Sequence, residues 1–248
     1  MDTYSSNLLD LNQNVNQLAV GLHDQNDLGI YSFGRNGRPL ANLPDANDEG
    51  ENWNRNAGEL YDDFIAWGNQ RLTDLVNAGF APEVRGIFWF QGEGDAVAVE
   101  NGVNLNAALD YEGNYTDLID GFRQDFTPFG GDDLVVVSAD LRIVGSPARE
   151  AINQTIRDAT ANVAALDPLV GTISTTDANR IALEDRFGPG DVHFSNDAQE
   201  IIVNRFADEF NSIVAASAVA GDSTVPELSS FTLIALCGCG LLGRRKRS

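Results

Sequence analysis

The fold is indicated most clearly by the sequence VRGIFWFQGEGD at residues 84–95. The run from Val84 to Phe90 is nearly continuous in apolar residues and has the length of a strand, which predicts burial on both faces. Burial on both faces is typical of a strand in a parallel sheet that helices cover on either side. The run passes directly into Gln91, two glycines and two carboxylates, so the pattern places polar groups at the carboxyl end of a buried strand.

The segments around this run alternate between strand and helix patterns. Short apolar runs predict strands at residues 28–33, 134–137 and 170–174, and helical spacing predicts helices at residues 59–78, 115–126, 148–166 and 199–216. Residues 1–28 are polar, with only a weak helical pattern. Strands that alternate with helices predict a three-layer α/β/α sandwich with a mostly parallel sheet. In such sheets, ligands bind in the loops at the carboxyl ends of the strands.

Composition excludes several classes of function. The formal net charge is −21, although the last residues include four of the 16 basic side chains, at 244–247. A body this acidic repels phosphate backbones, so nucleic acid is not an expected partner. The chain has two cysteines and two histidines, and Cys237 and Cys239 lie in one apolar segment. We expect no metal.

A second polar group lies just before the last predicted helix, in the sequence GDVHFS at residues 190–195. It places the carboxylate of Asp191 two residues before His193. An imidazole that removes a proton from a serine needs an acid to fix its tautomer and to stabilise the imidazolium, and Asp191 can fill that role. A purely structural histidine is the alternative for His193 considered alone.

Two blocks, Trp89-Phe90-Gln91-Gly92-Glu93-Gly94-Asp95 and Asp191-Val192-His193-Phe194, resemble those of one protein family. They are similar to motifs of the sialate O-acetylesterase and acetylxylan esterase branch of the SGNH hydrolases. The stretch Asn36-Gly37-Arg38-Pro39-Leu40 resembles the glycine turn of that family, with Gly37 matching its second glycine. The resemblance extends from about residue 28 to about residue 213, and it implies an SGNH, flavodoxin-like fold.

The resemblance also implies an activity, a carbohydrate O-acetylesterase that hydrolyses acetyl esters on sialic acid or polysaccharide. His193 would be the base of a Ser-His-Asp mechanism and Asp191 its orienting acid, although Asp191 stands one residue closer to the histidine than is usual in SGNH enzymes. The expected partner is an acetylated carbohydrate, and no cofactor is implied.

The remaining site residues would stabilise or support the reacting group. The resemblance implies that the Gly37 backbone N–H and the Gln91 side-chain amide face the developing oxyanion. Donors in that position stabilise the tetrahedral intermediate of acyl transfer. Glu93 and Asp95 are expected to support the loop rather than to react. An ordinary turn glycine at Gly37 and a loop-capping amide at Gln91 are the alternatives.

The serine nucleophile is the part of the pattern that the chain does not supply. The family carries it in a Gly-Gln-Ser-Asn-Met block after a first strand, whereas Ser6-Asn7 follows Tyr4-Ser5 with no apolar run before it. A nucleophile needs a turn that a strand supports, so a solvated terminal serine is the better interpretation of Ser6. We expect the first strand, the serine block and a signal peptide to be missing through a late start, and the chain as given to be inactive. A non-catalytic carbohydrate-binding pseudoenzyme on the cell surface is the alternative.

The C-terminal segment has the pattern of a sorting tail. Residues 1–214 form the predicted esterase domain, and residues 215–224 have the small, polar composition of a linker. Residues 225–248 begin Val225-Pro226-Glu227-Leu228 and continue with an apolar run and four basic residues. This order resembles the PEP-CTERM signal of exported bacterial surface proteins, which an exosortase processes. We therefore expect export to the bacterial surface or extracellular matrix, with membrane contact only through the tail; a plain tail anchor is the alternative.

Overall fold

The computed structural model describes residues 28–34, 37–42, 51–141, 146–176, 196–219 and 231–238. Within these ranges the chain forms five strands and five α-helices. The strands are β1 (Leu28–Phe33), β2 (Pro82–Phe90), β3 (Val135–Ala139), β4 (Val170–Ile173) and β5 (Phe231–Gly238). The helices are α1 (Glu59–Asn77), α2 (Glu93–Glu100), α3 (Tyr111–Asp125), α4 (Pro147–Leu166) and α5 (Asn196–Val219). Two single-turn 3₁₀ helices, Thr127–Phe129 and Gly131–Asp133, join α3 to β3.

The described strands form one sheet in the order β1-β5-β2-β3-β4, and every neighbouring pair is parallel. All five carboxyl ends therefore lie along the same edge of the sheet. The last strand in the chain, β5, lies between β1 and β2. Its residue Cys237 is paired with Phe33 of β1 on one side and with Trp89 of β2 on the other.

Helices cover both faces of this sheet, which confirms the predicted three-layer sandwich. Ile87 and Trp89 of β2 lie in the core that also contains the buried faces of α1, α3 and α4. Phe88, between them, faces the other way and packs against α5, where its ring stacks on Phe206 with the centroids 4.9 Å apart. Burial on both faces is the reason that β2 lacks an alternating pattern.

The element boundaries differ from the sequence predictions at several places. Helix α3 begins at Tyr111 rather than 115, and α5 continues to Val219, into the segment predicted as a linker. The short helix α2 was not predicted, because its sequence EGDAVAVE contains a glycine and no helical apolar stripe. The weak helical pattern of residues 1–27 lies outside the described residues. Within the described ranges, no helix is long and apolar enough to cross a membrane.

The largest difference concerns the apolar run of the predicted sorting tail. The sequence placed residues 225–248 outside the folded domain, whereas the structure places Phe231–Gly238 in the sheet as β5. The apolar run at residues 231–242 is too short to span a bilayer as an ordinary helix, and the eight residues of it that form β5 have the ordinary length of a strand. A continuous apolar run also suits the inner position of a parallel sheet. A sorting role for the segment stays a prediction.

The position of β5 bears on the predicted absence of a first strand. In the common doubly wound order 2-1-3-4-5, the N-terminal strand lies between the second and third strands. Strand β5 holds the equivalent position here, between β1 and β2. That a first strand is missing from the chain stays a prediction.

Candidate active site at the carboxyl end of strand β2

The chain turns sharply where β2 ends. Gly92 has a φ of +136°, which side chains rarely tolerate, and a Cβ there would lie 3.0 Å from Leu141 and 3.1 Å from Ile156. The turn therefore requires glycine for two reasons, its backbone conformation and the close packing against it. Helix α2 begins at the next residue, Glu93, so Gln91 and Asp95 stay close to the end of the strand.

Asp95 fixes the turn that follows β1. Its side chain is completely buried, and its two oxygens accept hydrogen bonds from the backbone N–H groups of Leu40 and Ala41, each 2.8 Å long. These bonds join the turn at residues 37–42, which we call the Gly37 turn, to the start of α2. Charge-assisted bonds of this kind are stronger than neutral ones, so the carboxylate is a firm attachment for the turn.

The backbones of the turn and of α2 also touch. A Cβ on Gly94 would lie 2.7 Å from the carbonyl oxygen of Gly37 and from backbone atoms of Arg38 and Pro39. The backbone N–H of Trp53 donates to the Pro39 carbonyl of the turn at 2.9 Å. The turn is thus packed between two fixed segments.

Gln91 connects the same turn to the interior. Its Nε2 donates to the carbonyl oxygen of Arg38 at 2.9 Å and to Oδ2 of Asp95 at 2.6 Å. These two bonds use both hydrogens of the amide. Donation to an oxyanion would require one of them to be released, so that role for Gln91 stays a prediction.

Burial changes the acid–base properties of this group. Loss of solvent raises the pKa of Asp95 to about 6, although hydrogen bonds from Gln91, Leu40 and Ala41 act in the opposite direction. Burial also raises the pKa of Tyr111 well above its usual value, and the nearby charge of Asp95 adds to the effect. At neutral pH the phenol is therefore protonated.

The structure brings together some of the predicted site residues. Gly37 lies in the attached turn, exposed and with a φ of +70°, and Gln91 and Asp95 are buried beneath that turn. Glu93 lies beside them, and its backbone carbonyl accepts a hydrogen bond from Arg149 of α4 at 3.2 Å. His193 and Asp191 lie outside the described residues.

The sequence did not single out several residues that complete this arrangement. The hydroxyl of Tyr111 lies 3.0 Å from Oε1 of Gln91 and 3.3 Å from Nε1 of Trp89. Arg38 of the turn forms an ion pair with Glu51 at 3.1 Å. Only the aromatic and basic character of these residues near glycine-rich turns could have drawn attention to them, and that signal is weak.

A further carboxyl group lies at the same edge of the sheet. Asp140 directly follows β3, and its backbone N–H donates to Ile173 at the end of β4. Burial raises the pKa of Asp140, and Arg157 partly opposes the shift. Among the residues that the structure describes, no three histidine, cysteine or acidic side chains are grouped as metal ligands.

The fold and this site define a class of protein. A three-layer domain whose described strands are all parallel, with buried polar groups at the carboxyl end of an inner strand, is a doubly wound α/β protein with a strand-end site. The family model described as carbohydrate esterase, sialic acid-specific acetylesterase, matches residues 46–212. The match spans well over half of the sequence, and the chain belongs to this family. Comparisons with curated proteins and with solved structures gave no match.

Proposed function

We propose that this chain is the greater part of an enzyme that removes acetyl groups from O-acetylated sugars by a Ser-His-Asp mechanism. Membership of the carbohydrate esterase family supports the substrate class. The observation that carries the proposal is the attachment of the Gly37 turn to Gln91 and Asp95 at the carboxyl end of β2. This attachment gives the rigid backbone that an oxyanion site needs.

Each residue has a defined part in the proposed reaction. His193 takes the proton of a serine hydroxyl, and Asp191 holds the imidazole and stabilises its positive form. The serine oxygen attacks the acetyl carbonyl, and the Gly37 N–H, with Gln91 if its amide is released, donates to the resulting oxyanion. The bond between the acyl carbon and the sugar oxygen then breaks, and His193 gives its proton to the departing sugar oxygen, which leaves acetyl-serine. Water attacks the acetyl-serine in the same way, which releases acetate and regenerates the serine.

We propose that the nucleophile is a serine on a segment that precedes residue 1 in a longer form of the chain. The support is topological, because the sheet position between β1 and β2 ends beside both the Gly37 turn and Gln91. A strand in that position would deliver the residue after it to the site. Strand β5 holds the position here, so a preceding strand would have to replace it.

The test is acetate release from acetylated xylan and from O-acetylated sialic acid, for the 248-residue chain and for a form extended upstream in frame. We expect activity only in the extended form. His193→Ala should lower kcat/KM by a factor on the order of 10³ or more, since loss of the base removes the general catalysis. His23→Ala is the control and should leave the rate unchanged. Activity of the 248-residue chain that survives Ser6→Ala would contradict the proposed nucleophile.

A non-catalytic carbohydrate-binding protein is the second candidate. The observation that favours it is the engagement of both Gln91 amide hydrogens within the protein. Calorimetric titration with acetylated xylo-oligosaccharides separates the two functions. Binding with no acetate release from the extended chain would support the second candidate and exclude the first.

The proposed cellular setting is the bacterial surface. We propose that residues 225–248 act as a PEP-CTERM-like sorting signal for an exosortase-type enzyme after export. The support is the sequence order alone: Val225-Pro226-Glu227-Leu228, then an apolar run, then four basic residues. Fractionation of cells that express the chain with and without this segment tests the proposal. Equal distribution of the two forms would contradict it.

A further inference from the structure

Tyr111 is the first residue of α3, and its side chain is completely buried beneath the Gly37 turn and the end of β2. Its hydroxyl lies 3.3 Å from the indole Nε1 of Trp89. On the other side it lies 3.0 Å from Oε1 and 3.2 Å from the backbone oxygen of Gln91. The phenol is therefore the link between the core and the Gln91 amide.

The chemistry of the partners fixes the direction of these hydrogen bonds. An indole N–H can only donate, so the tyrosine oxygen accepts from Trp89 and its single proton is directed to Gln91, where Oε1 at 3.0 Å is nearer than the backbone oxygen at 3.2 Å. Because the Tyr111 hydroxyl is a donor here, the side-chain amide of Gln91 must present its carbonyl oxygen, Oε1, to it. The amide nitrogen is then directed to the Arg38 carbonyl and the Asp95 carboxylate, both of which are acceptors.

We propose that Tyr111 is a positioning residue of this site, which holds the Gln91 side chain against the Gly37 turn by donating to its carbonyl oxygen. It acts through Gln91 and touches no substrate. Loss of the phenol oxygen would leave Oε1 of Gln91 and Nε1 of Trp89 buried without this partner. Buried polar atoms left without a partner are costly, so the amide would move or open to find another one. Only the consequence for catalysis rests on the proposed esterase function.

The same helix supplies a matched control. Tyr115 lies one turn further along α3, is also completely buried, and has its ring centroid 6.1 Å from that of Tyr111. Tyr115→Phe and Tyr111→Phe remove the same atom from the same helix at equal burial. They differ in that only Tyr111 is hydrogen bonded to Gln91 among the described contacts.

The test is hydrogen exchange of the Gln91 side-chain amide in the 248-residue chain, followed by NMR for the parent, Tyr111→Phe and Tyr115→Phe. We expect exchange at least tenfold faster in Tyr111→Phe and unchanged in Tyr115→Phe. Measurements at several low denaturant concentrations separate local release from global unfolding, so a loss of overall stability does not obscure the result. Equal rates in the two variants, whether both fast or both slow, would overturn the proposal.

The catalytic consequence is measured separately in the extended, active form. Tyr111→Phe should lower kcat at least fivefold with KM changed less than twofold, and Tyr115→Phe should leave both unchanged. A change confined to KM, with kcat unaltered, would overturn the positioning role in catalysis. If every form lacks esterase activity, the proposed function fails, while the exchange result still decides whether Tyr111 positions Gln91.

Discussion

Nε2 of Gln91 lies 2.6 Å from Oδ2 of Asp95, and both side chains are buried. The amide donates to a carboxylate that is itself unfavourable to bury in its charged form. The protein retains this charge because the same carboxylate holds two backbone N–H groups of the turn after β1. The hydrogen bonds that order the site therefore depend on a carboxylate whose charged form is disfavoured by burial.

The first prediction concerns the pH dependence of stability. Because the pKa of Asp95 is about 6 in the folded chain against 3.8 for the free side chain, the folded state binds a proton more tightly than the unfolded state. Stability from this group is therefore present at low pH and is lost as the pH rises from about 4 to about 6. Between pH 7 and pH 4 the parent should gain up to about 3 kcal/mol relative to Asp95→Asn.

Urea unfolding at a series of pH values measures this difference, and Asp95→Asn corrects for the general effect of the large negative charge. The difference in unfolding free energy between the parent and Asp95→Asn could instead be flat from pH 4 to pH 7, or change in the other direction. Either result would show that the pKa of Asp95 is not raised in the folded chain.

The second prediction uses the close approach of Gly94 to the turn. Gly94→Ala would place a Cβ 2.7 Å from backbone atoms of Gly37, Arg38 and Pro39, none of which is a flexible side-chain end. The turn must move, and the unfolding free energy should fall by about 2 kcal/mol. Chemical denaturation measures the change.

Gly113→Ala is the control for Gly94→Ala. Gly113 is an exposed residue inside α3, and no atom lies within 4 Å of a Cβ built on it. Alanine there should stabilise the chain by about 0.5–1 kcal/mol, because it restricts the unfolded backbone at no steric cost. Equal effects of the two substitutions would refute the packing argument.

The third prediction concerns the ion pair that holds the start of β4. Arg123 of α3 binds Asp167 with an Nη1–Oδ2 distance of 2.5 Å, and its guanidinium also donates to the Leu134 carbonyl. Both side chains are largely buried, so Arg123→Ala leaves a shielded carboxylate and a shielded carbonyl without this donor. We expect a loss of about 2 kcal/mol in unfolding free energy.

Arg71 offers a matched exposed pair. It lies 4.0 Å from Asp74 on the surface of α1, with both side chains about half exposed. Arg71→Ala should change the unfolding free energy by less than about 0.5 kcal/mol, since exposed pairs contribute little. Thermal unfolding of the two variants side by side decides the comparison, and similar losses would contradict it.

The fourth prediction concerns β5. Because β5 is hydrogen bonded to a strand on each side, Ile234→Pro removes a ladder hydrogen bond and should lower the unfolding free energy by about 3 kcal/mol. Ser223→Pro, which lies outside β5, is the control and should have little effect. If Ile234→Pro leaves the melting temperature unchanged, the segment is not part of the stable sheet.

Most of the fold could be predicted because burial on both faces leaves a direct mark on the sequence. The nearly continuous apolar runs in β2 and β3 identified inner parallel strands, and the spacing of Leu60, Phe64 and Leu72 identified the buried face of α1. The start of α3 was missed because Tyr111 and Tyr115 are separated by polar residues that resemble a loop. Strand β5 was missed because an apolar run near basic residues is equally suited to a sorting signal.

The site was predictable only in its outline. The sequence placed Gln91 and Asp95 at a strand end, because a strand pattern followed by Gly-Glu-Gly is a local feature. It could not show that Leu40 and Ala41, more than 50 residues away, are the partners of Asp95. Long-range backbone hydrogen bonds have no local signature. The role of Tyr111 was hidden for the same reason.

Because β5 lies inside the sheet, the folded domain depends on residues near the end of this sequence. In the described part of the sheet, β1 is hydrogen bonded to the other strands only through β5. An enzyme that cut the chain between α5 and β5 would leave an inner strand held only by its hydrogen bonds to β1 and β2, and loss of that strand would leave two separate strand edges facing a gap. Removal of β5 would therefore require more than proteolysis, because the sheet would be continuous again only if another strand filled the gap.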